Sequence, residues 1–262
     1  MHDRHRSWLL QQINHYYPMI GDRDALATVP QRLRLSQDEF CSSLDFSPAF
    51  VAAVCRHGYL PMAEMIGELP LLLIKSHRDR CVMDWPNLRL SRKLRRYARD
   101  LTFHINRDFP TCLHRIVAHH APATWLIAPL CHAFLSLHRQ PLLSVACHSI
   151  ELYAQDKLIA GEIGYSTGKI YTSVAAFHAQ NGAGSVQLAL LGKLLSASGF
   201  AFWDLGMPLP YKMQLGAHIE NRDVFLSRWH QQADQGTPNW LQTQLSAAAC
   251  LNLLKGQPFS QP

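Results

Sequence analysis

Ser149-Ile150-Glu151-Leu152-Tyr153, then Gln155-Asp156-Lys157, then Leu158-Ile159-Ala160-Gly161, is the stretch that decides the fold. Its first five residues alternate polar and apolar, which predicts a half-buried strand; the polar triplet supplies a turn and the second apolar run a returning strand. After Gly168 a third run, Lys169 to Ala176, extends the pattern. The loop Ala179-Gln180-Asn181-Gly182-Ala183-Gly184-Ser185 leads into an apolar helix, Val186 to Ser198, closed by Gly199 as C-cap. Phe200 to Trp203 reads as the next strand, with Asp204 at its end. Antiparallel strands, a loop and helix, then another strand predict an α+β fold with a mixed, mainly antiparallel sheet.

Outward from this centre, Ser47-Pro48 opens a helix through His57, with Ser47 as N-cap and Pro48 at the first helical position. Leu69 to Ile74 and Cys81 to Met83 have strand character, and Asp84-Trp85-Pro86-Asn87 is turn-rich. The expected organisation is a small N-terminal α+β domain over 1–85 and a larger domain over 86–262. Within the latter, a strand is predicted at Leu101 to Ile105 and helices at Phe109 to His120, Pro129 to His138, Val224 to Gln232 and Leu241 to Leu254. Met213 to Val224 reads as a polar connector.

Composition narrows the function classes. Hydrophobic residues make up 48% and charged residues 17% of the 262, and no apolar run approaches the roughly 20 residues that span a bilayer. The start, Met1-His2-Asp3-Arg4-His5-Arg6, does not read as a signal peptide. Seven scattered cysteines without a CxxC pair fit reduced thiols and a cytoplasmic setting. A net charge of +6 is compatible with an anionic partner and equally with a merely basic surface.

His114, His119, His120, His132 and His138 lack the HExxH spacing that sets two ligands on one helix face, so no metal is expected. There is no G-x-S-x-G elbow, and the neighbours Cys147 and His148 point to opposite faces of a strand. Ser91 can cap a helix on which Arg92, Arg95, Arg96 and Arg99 share one face, a surface for phosphates or simply for water. Gly182-Ala183-Gly184-Ser185, between a strand and a helix, suits an anion, because first-turn amides and the helix dipole favour negative charge there. That order of elements resembles the GNAT acyltransferase core, although Ala179 stands where the usual pyrophosphate motif begins.

From Arg56 onward, short motifs resemble the leucyl/phenylalanyl-tRNA–protein transferases. Arg56-His57-Gly58-Tyr59-Leu60-Pro61 is similar to R-x-G-I-F-P-W, and Leu90-Ser91-Arg92-Lys93-Leu94-Arg95-Arg96 to a basic S-R-S-L-R-K segment. Thr124-Trp125-Leu126 resembles G-T-W-I, Leu137-His138 the family's L-H, and His148 to Tyr153 its H-S-V-E-V-W. Leu158 to Gly161 with Gly164 follows L-V-G-G-x-x-G, and Trp203-Asp204 and Leu215-Gly216-Ala217 follow I-D-C-Q and S-L-G-A.

The resemblance implies a GNAT-like aminoacyltransferase that works without metal or coenzyme A, as the family does. Its expected partners are aminoacyl-tRNA and the N-terminus of an acceptor protein or peptide marked for degradation, with the chain acting as a monomer away from membranes. Arg92, Lys93, Arg95, Arg96 and Arg99 would bind the tRNA, and Trp125, Ser149, Glu151, Glu162, Tyr171, Phe177, Leu191 and Leu195 the substrate. Asp204 would act in catalysis, with His178 and Tyr211 replacing polar groups that the family has and this chain lacks. The glutamine of D-C-Q is Gly206 here, and G-E-S-M-F-S-R has become Ser173-Val174-Ala175-Ala176-Phe177-His178-Ala179. Both tryptophans of W-W-S-P-D-P-R are absent from Leu73 to Arg80. Glu162 stands where the family carries a bulky apolar residue; facing the pocket it would favour a cationic aminoacyl group, facing solvent it would have no such role. An acyltransferase using acyl-CoA or aminoacyl-tRNA on a small molecule or peptide, and a non-catalytic tRNA- or protein-binding descendant, remain open alternatives.

Overall fold

The computed structural model describes residues 2–34, 39–239 and 244–255, with side chains from Trp8 onward except that of Arg34. The chain begins with helices α1 (His2–Tyr16) and α2 (Val29–Arg34). Strand β1 (Phe40–Ser43), helix α3 (Pro48–Arg56) and the hairpin β2 (Leu60–Ile66) and β3 (Leu69–Lys75) follow. These strands form an antiparallel sheet in the order β1-β3-β2. As expected, Ser47 caps α3 by accepting from the Phe50 amide, with Pro48 in the first turn.

The second sheet has eight strands in the order β10-β4-β9-β8-β7-β6-β5-β11. It takes in β4 (Asp79–Met83), so sheet membership changes between Lys75 and Asp79, just ahead of the turn at Asp84 to Asn87. Helix α4 (Leu94–Tyr97), β5 (Leu101–Ile105), α5 (Phe109–His120) and α6 (Ala128–Arg139) come next. The stretch that decides the fold folds as read: β6 (Val145–Ala154) and β7 (Lys157–Thr167) form a long antiparallel hairpin, and β8 (Ile170–His178) pairs antiparallel with β7. Helix α7 (Ala183–Ser198) then crosses back, ending at Gly199 with φ +88°. It delivers β9 (Phe202–Gly206) parallel to β8. The remaining elements are α8 (Pro210–Leu215), β10 (His218–Asn221), α9 (Arg222–Ala233), β11 (Gln244–Leu245) and α10 (Ala247–Leu254).

Three local expectations need correction. The basic helix is a single turn: Ser91 Oγ accepts from the Lys93 amide, a local turn that keeps Ser91 to Lys93 outside the helix. The connector at 213–224 contains the end of α8 and all of β10, because Pro210 starts α8 and Gly216, at φ +107°, stops it. Of the terminal helix read from Leu241, residues 241–243 lie outside the described residues; 244–245 is strand and the helix starts at Ala247.

The large sheet is covered on both faces. Ile163, Tyr165 and Cys147 pack with Ile116, Phe134 and Trp229 from α5, α6 and α9. Ile150, Leu152 and Tyr171 pack with Leu190, Leu194 and Leu253 from α7 and α10. Burying a large apolar side chain contributes about 1.5–3 kcal/mol, so these two layers carry most of the favourable folding energy. Among the described residues, no helix is long and apolar enough to cross a membrane.

Candidate active site

The site exists because two neighbouring strands part. β8 and β9 pair only over Ile170–Thr172 against Phe202–Asp204. Beyond that, β8 runs on to His178 paired only with β7, and β9 to Gly206 paired only with β4. A bulge in β8 opposite Ile163 and Gly164 adds one residue, Val174, where the strands separate. Between them lies a cavity of about 560 Å³, lined by Ser173 to His178 on one side and Leu205 to Met207 on the other. Trp125, the first turn of α7, and Tyr211 and Lys212 of α8 complete much of its wall.

Glu162, from the middle of β7, lines this cavity and is 1% exposed. Its Oε1 accepts from Ser173 Oγ at 2.6 Å and from the Tyr171 hydroxyl at 3.2 Å; Oε2 accepts from Gln187 Nε2 at 3.2 Å. Gly164 makes this possible, since a Cβ there would stand 2.3 Å from the Tyr171 hydroxyl oxygen. All three donors are neutral, and among the described residues Glu162 has no ion-pair partner. Burial therefore pushes its carboxyl above the usual range, opposed by the hydrogen bonds from Ser173, Gln187 and Tyr171.

A group with a raised folded-state pKa favours folding at low pH, and that contribution is lost as pH rises through the raised value. Glu162→Gln is therefore expected to melt increasingly above the parent protein between pH 5 and pH 8, by about 2–4 °C for every kcal/mol involved. Melting curves that stay parallel across that range contradict the assignment of a strained buried acid.

Asp204 behaves differently. It lies in the middle of β9, not at its end, is fully buried, and does not line the cavity. Oδ1 accepts from Arg80 Nε at 2.7 Å and the Gly206 amide at 2.9 Å, and Oδ2 from Arg80 Nη2 at 2.6 Å and Thr172 Oγ1 at 2.9 Å. Arg80 is itself 1% exposed. Each carboxylate oxygen thus already accepts twice, and the contacts of Asp204 run to Arg80, Thr172 and the Gly206 amide beside the cleft.

Several other expected residues also sit away from the cavity. Leu191 and Leu195 are fully buried with Tyr171 and Trp203; α7 offers Ser185, Gln187 and Leu188 to the cavity instead. Tyr171 acts through its hydroxyl on Glu162. Ser149 and Glu151 lie on β6, separated from the cleft by β7. Ser149 Oγ donates to Glu151, which also accepts from the Asp108 amide and the Tyr153 hydroxyl, so this pair anchors the start of α5.

The structure does bring together Trp125, Glu162, Phe177, His178 and Tyr211 with Gly182, Gly184 and Ser185. Gly182, at φ +82°, precedes α7, and a Cβ on it would approach the Tyr97 ring to 3.0 Å. Tyr97 thereby seats the basic segment beside the loop: Arg92, Lys93, Arg95, Arg96 and Arg99 are all exposed next to it. Burial, with a smaller contribution from Glu162, raises the Tyr211 phenol to about 12, so it remains a hydrogen-bond donor near neutral pH.

His77 and Lys212 are cavity residues that the sequence alone did not single out. Lys212 Nζ donates to the carbonyls of Leu205 at 2.5 Å and Met207 at 3.0 Å, bracing the β9 side. His77 is buried, its Nε2 has no hydrogen-bond partner among the described residues, and burial followed by the Arg80 and Lys75 charges keeps the ring neutral. His77 lies in the segment Leu73 to Arg80 that departs from W-W-S-P-D-P-R, and Lys212 on α8, outside the motifs similar to the family's. Away from the cavity, Asp84, His218 and Glu220 approach one another closely enough to hold a metal ion. Arg228 already bonds both of those acids.

A splayed sheet thus holds a cavity with a buried acid in its wall, and an exposed basic segment lies beside the helix start that borders it. Comparison with known proteins gives the family. The model for leucyl/phenylalanyl-tRNA protein transferase matches residues 82–230. The leucyl/phenylalanyl-tRNA–protein transferase of Shewanella piezotolerans strain WP3 is 32% identical over 165 residues, 61% of this chain and 68% of the relative. Those of Pseudomonas paraeruginosa and Hahella chejuensis are 28% and 27% identical, with 74% and 71% of this chain and 85% and 79% of the relatives covered. The chain belongs to the leucyl/phenylalanyl-tRNA–protein transferase family.

Proposed function

We propose that this protein transfers an aminoacyl group from aminoacyl-tRNA to an acceptor amine, the N-terminus of a protein or peptide, acting as a monomer in the cytoplasm. The observation that carries this reading is the adjacency of the basic segment at 92–99, the loop at Gly182 and the mouth of the β8/β9 cleft. Phosphates of the tRNA end would lie against the arginines, with its terminal nucleotide near Tyr97 and the start of α7. The aminoacyl group would then enter the cavity. The splayed strands support a GNAT-like arrangement in which the reacting carbonyl sits between β8 and β9.

Aminolysis of the ester forms a C–N bond, breaks the C–O bond to the ribose and leaves the ribose hydroxyl with the proton lost by the amine. Such a reaction mainly needs orientation and a proton route. Tyr211 and His178, polar and exposed in the cavity wall, are suited to meet the amine, with the neutral His77 ring buried in the same wall. Asp204 serves as a positioning residue through Arg80 and Gly206.

Incubation with a mixed pool of charged tRNAs and acceptor peptides tests the reading. The expected result is consumption of at least one aminoacyl ester with the amino acid recovered on the peptide. Undiminished esters, together with protection of the fold against heat by coenzyme A, contradict it.

A further inference from the structure

Among the described residues, Glu162 is the one acid that lines the cavity, and it lies at the buried end. Glu162 and Gln187 are each 1% exposed, whereas His178 and Ser185 at the other end are exposed. Between the two ends the walls are largely apolar, with Val174, Ala175, Leu188, Leu205 and Leu209. An aliphatic stem followed by a polar head matches that sequence of surfaces.

The head must suit a carboxylate. A buried carboxylate is costly unless paired and hydrogen-bonded, and here three neutral donors leave lone-pair capacity unused; among the described residues no cation contacts it, and the Lys212 charge acts on it only from a distance. The cavity's own cations are committed elsewhere. Lys212 is held by two backbone carbonyls, and Lys75 lies 3.6 Å from Glu39 and 4.9 Å from the centre of the Phe40 ring. His77 is neutral, and His120 bonds the Ala176 carbonyl at 2.9 Å. His119 and His178 stand at the exposed end.

We propose that the cavity selects an aminoacyl group with a cationic side chain, lysyl or arginyl, and that Glu162 is the residue that reads it. This rests on the aminoacyl-transfer reading for its substrate, while its test does not require turnover. The aliphatic part of the side chain lies against Val174, Leu188 and Leu205, and its ammonium or guanidinium supplies a contacting cation, of which Glu162 has none among the described residues. Gln187 and Ser173 hold the carboxylate in place for it, and Tyr171, reaching past Gly164, fixes its other side. Leucyl and phenylalanyl groups would leave the acid buried and unpaired, a penalty that works against them.

The test is binding of 3′-lysylamino-, 3′-arginylamino- and 3′-leucylamino-3′-deoxyadenosine, hydrolysis-resistant ends of charged tRNA, measured by calorimetry on the full chain. The lysyl or arginyl compound is expected to bind at least tenfold more tightly than the leucyl one. Glu162→Gln, nearly isosteric and thus safe for folding, should remove that advantage by weakening lysyl and arginyl binding and relieving the penalty on the leucyl compound; Glu162→Leu should reverse the order. Equal loss of all three in Glu162→Gln would overturn the proposal, assigning Glu162 to the α-ammonium common to them. Preference for the leucyl compound by the parent protein, or no binding of any of them, would overturn it as well. Discrimination without transfer to any peptide would leave the side-chain assignment standing and defeat the transferase reading.

Discussion

Arg80→Ala is expected to destabilise the protein by about 3–5 kcal/mol, read as an early unfolding transition in urea. The reason lies in what it leaves behind. Asp204 would remain fully buried with only Thr172 and the Gly206 amide as donors, and an uncompensated charge in that position is far more damaging than a lost surface pair. The Arg80 side chain also lies over the Phe225 ring at 4.8 Å, so packing is lost with the charge. Replacing both partners, Arg80→Met with Asp204→Leu, should recover much of the stability, because it removes the orphaned charge. It should not recover activity, since Gly206 loses its anchor at the cleft. Full activity in a folded double variant would contradict the positioning role given to Asp204.

Neutralising Arg92, Arg95, Arg96 and Arg99 to glutamine is expected to weaken tRNA binding by about 10²–10³-fold at 0.1 M salt and to flatten its salt dependence. Each lost phosphate contact should reduce the slope of log K against log[salt] by about 0.7–0.9. The side chains are exposed, and α4 is only one turn long, so little stability should change with them. Binding of the short aminoacyl-adenosine compounds should be affected much less, since they carry no phosphates. An unchanged salt slope would place the tRNA on another face.

How much of this was legible in the residues follows from the range of the forces involved. The β6–β7 hairpin and α7 were readable because their signals are local: alternation, a polar turn and a terminal glycine. The place of Asp204 was not, because the partner that makes a mid-strand acid tolerable is 124 residues away. Leu191 and Leu195 show the limit of helical spacing, which tells that two residues share a face but not whether that face meets a cavity or a core. Ser149 and Glu151 sat in a motif similar to the family's, yet their hydrogen bonds serve the start of α5. Pro210 and Gly216 did carry the signal for α8, a proline in the first turn and a glycine at the end. The cleft itself depends on where β8 and β9 stop pairing, a long-range property that no short stretch encodes.

The central claim is that the aminoacyl end of a charged tRNA occupies the cavity between β8 and β9. A crystal structure with 3′-lysylamino-3′-deoxyadenosine tests it most directly. The account predicts the adenosine at the Tyr97 and Gly182 mouth and the lysyl ammonium within hydrogen-bond reach of Glu162. Finding the compound instead in the separate hollow lined by Arg107, Arg115 and Lys157 on the other side of β7 would contradict it.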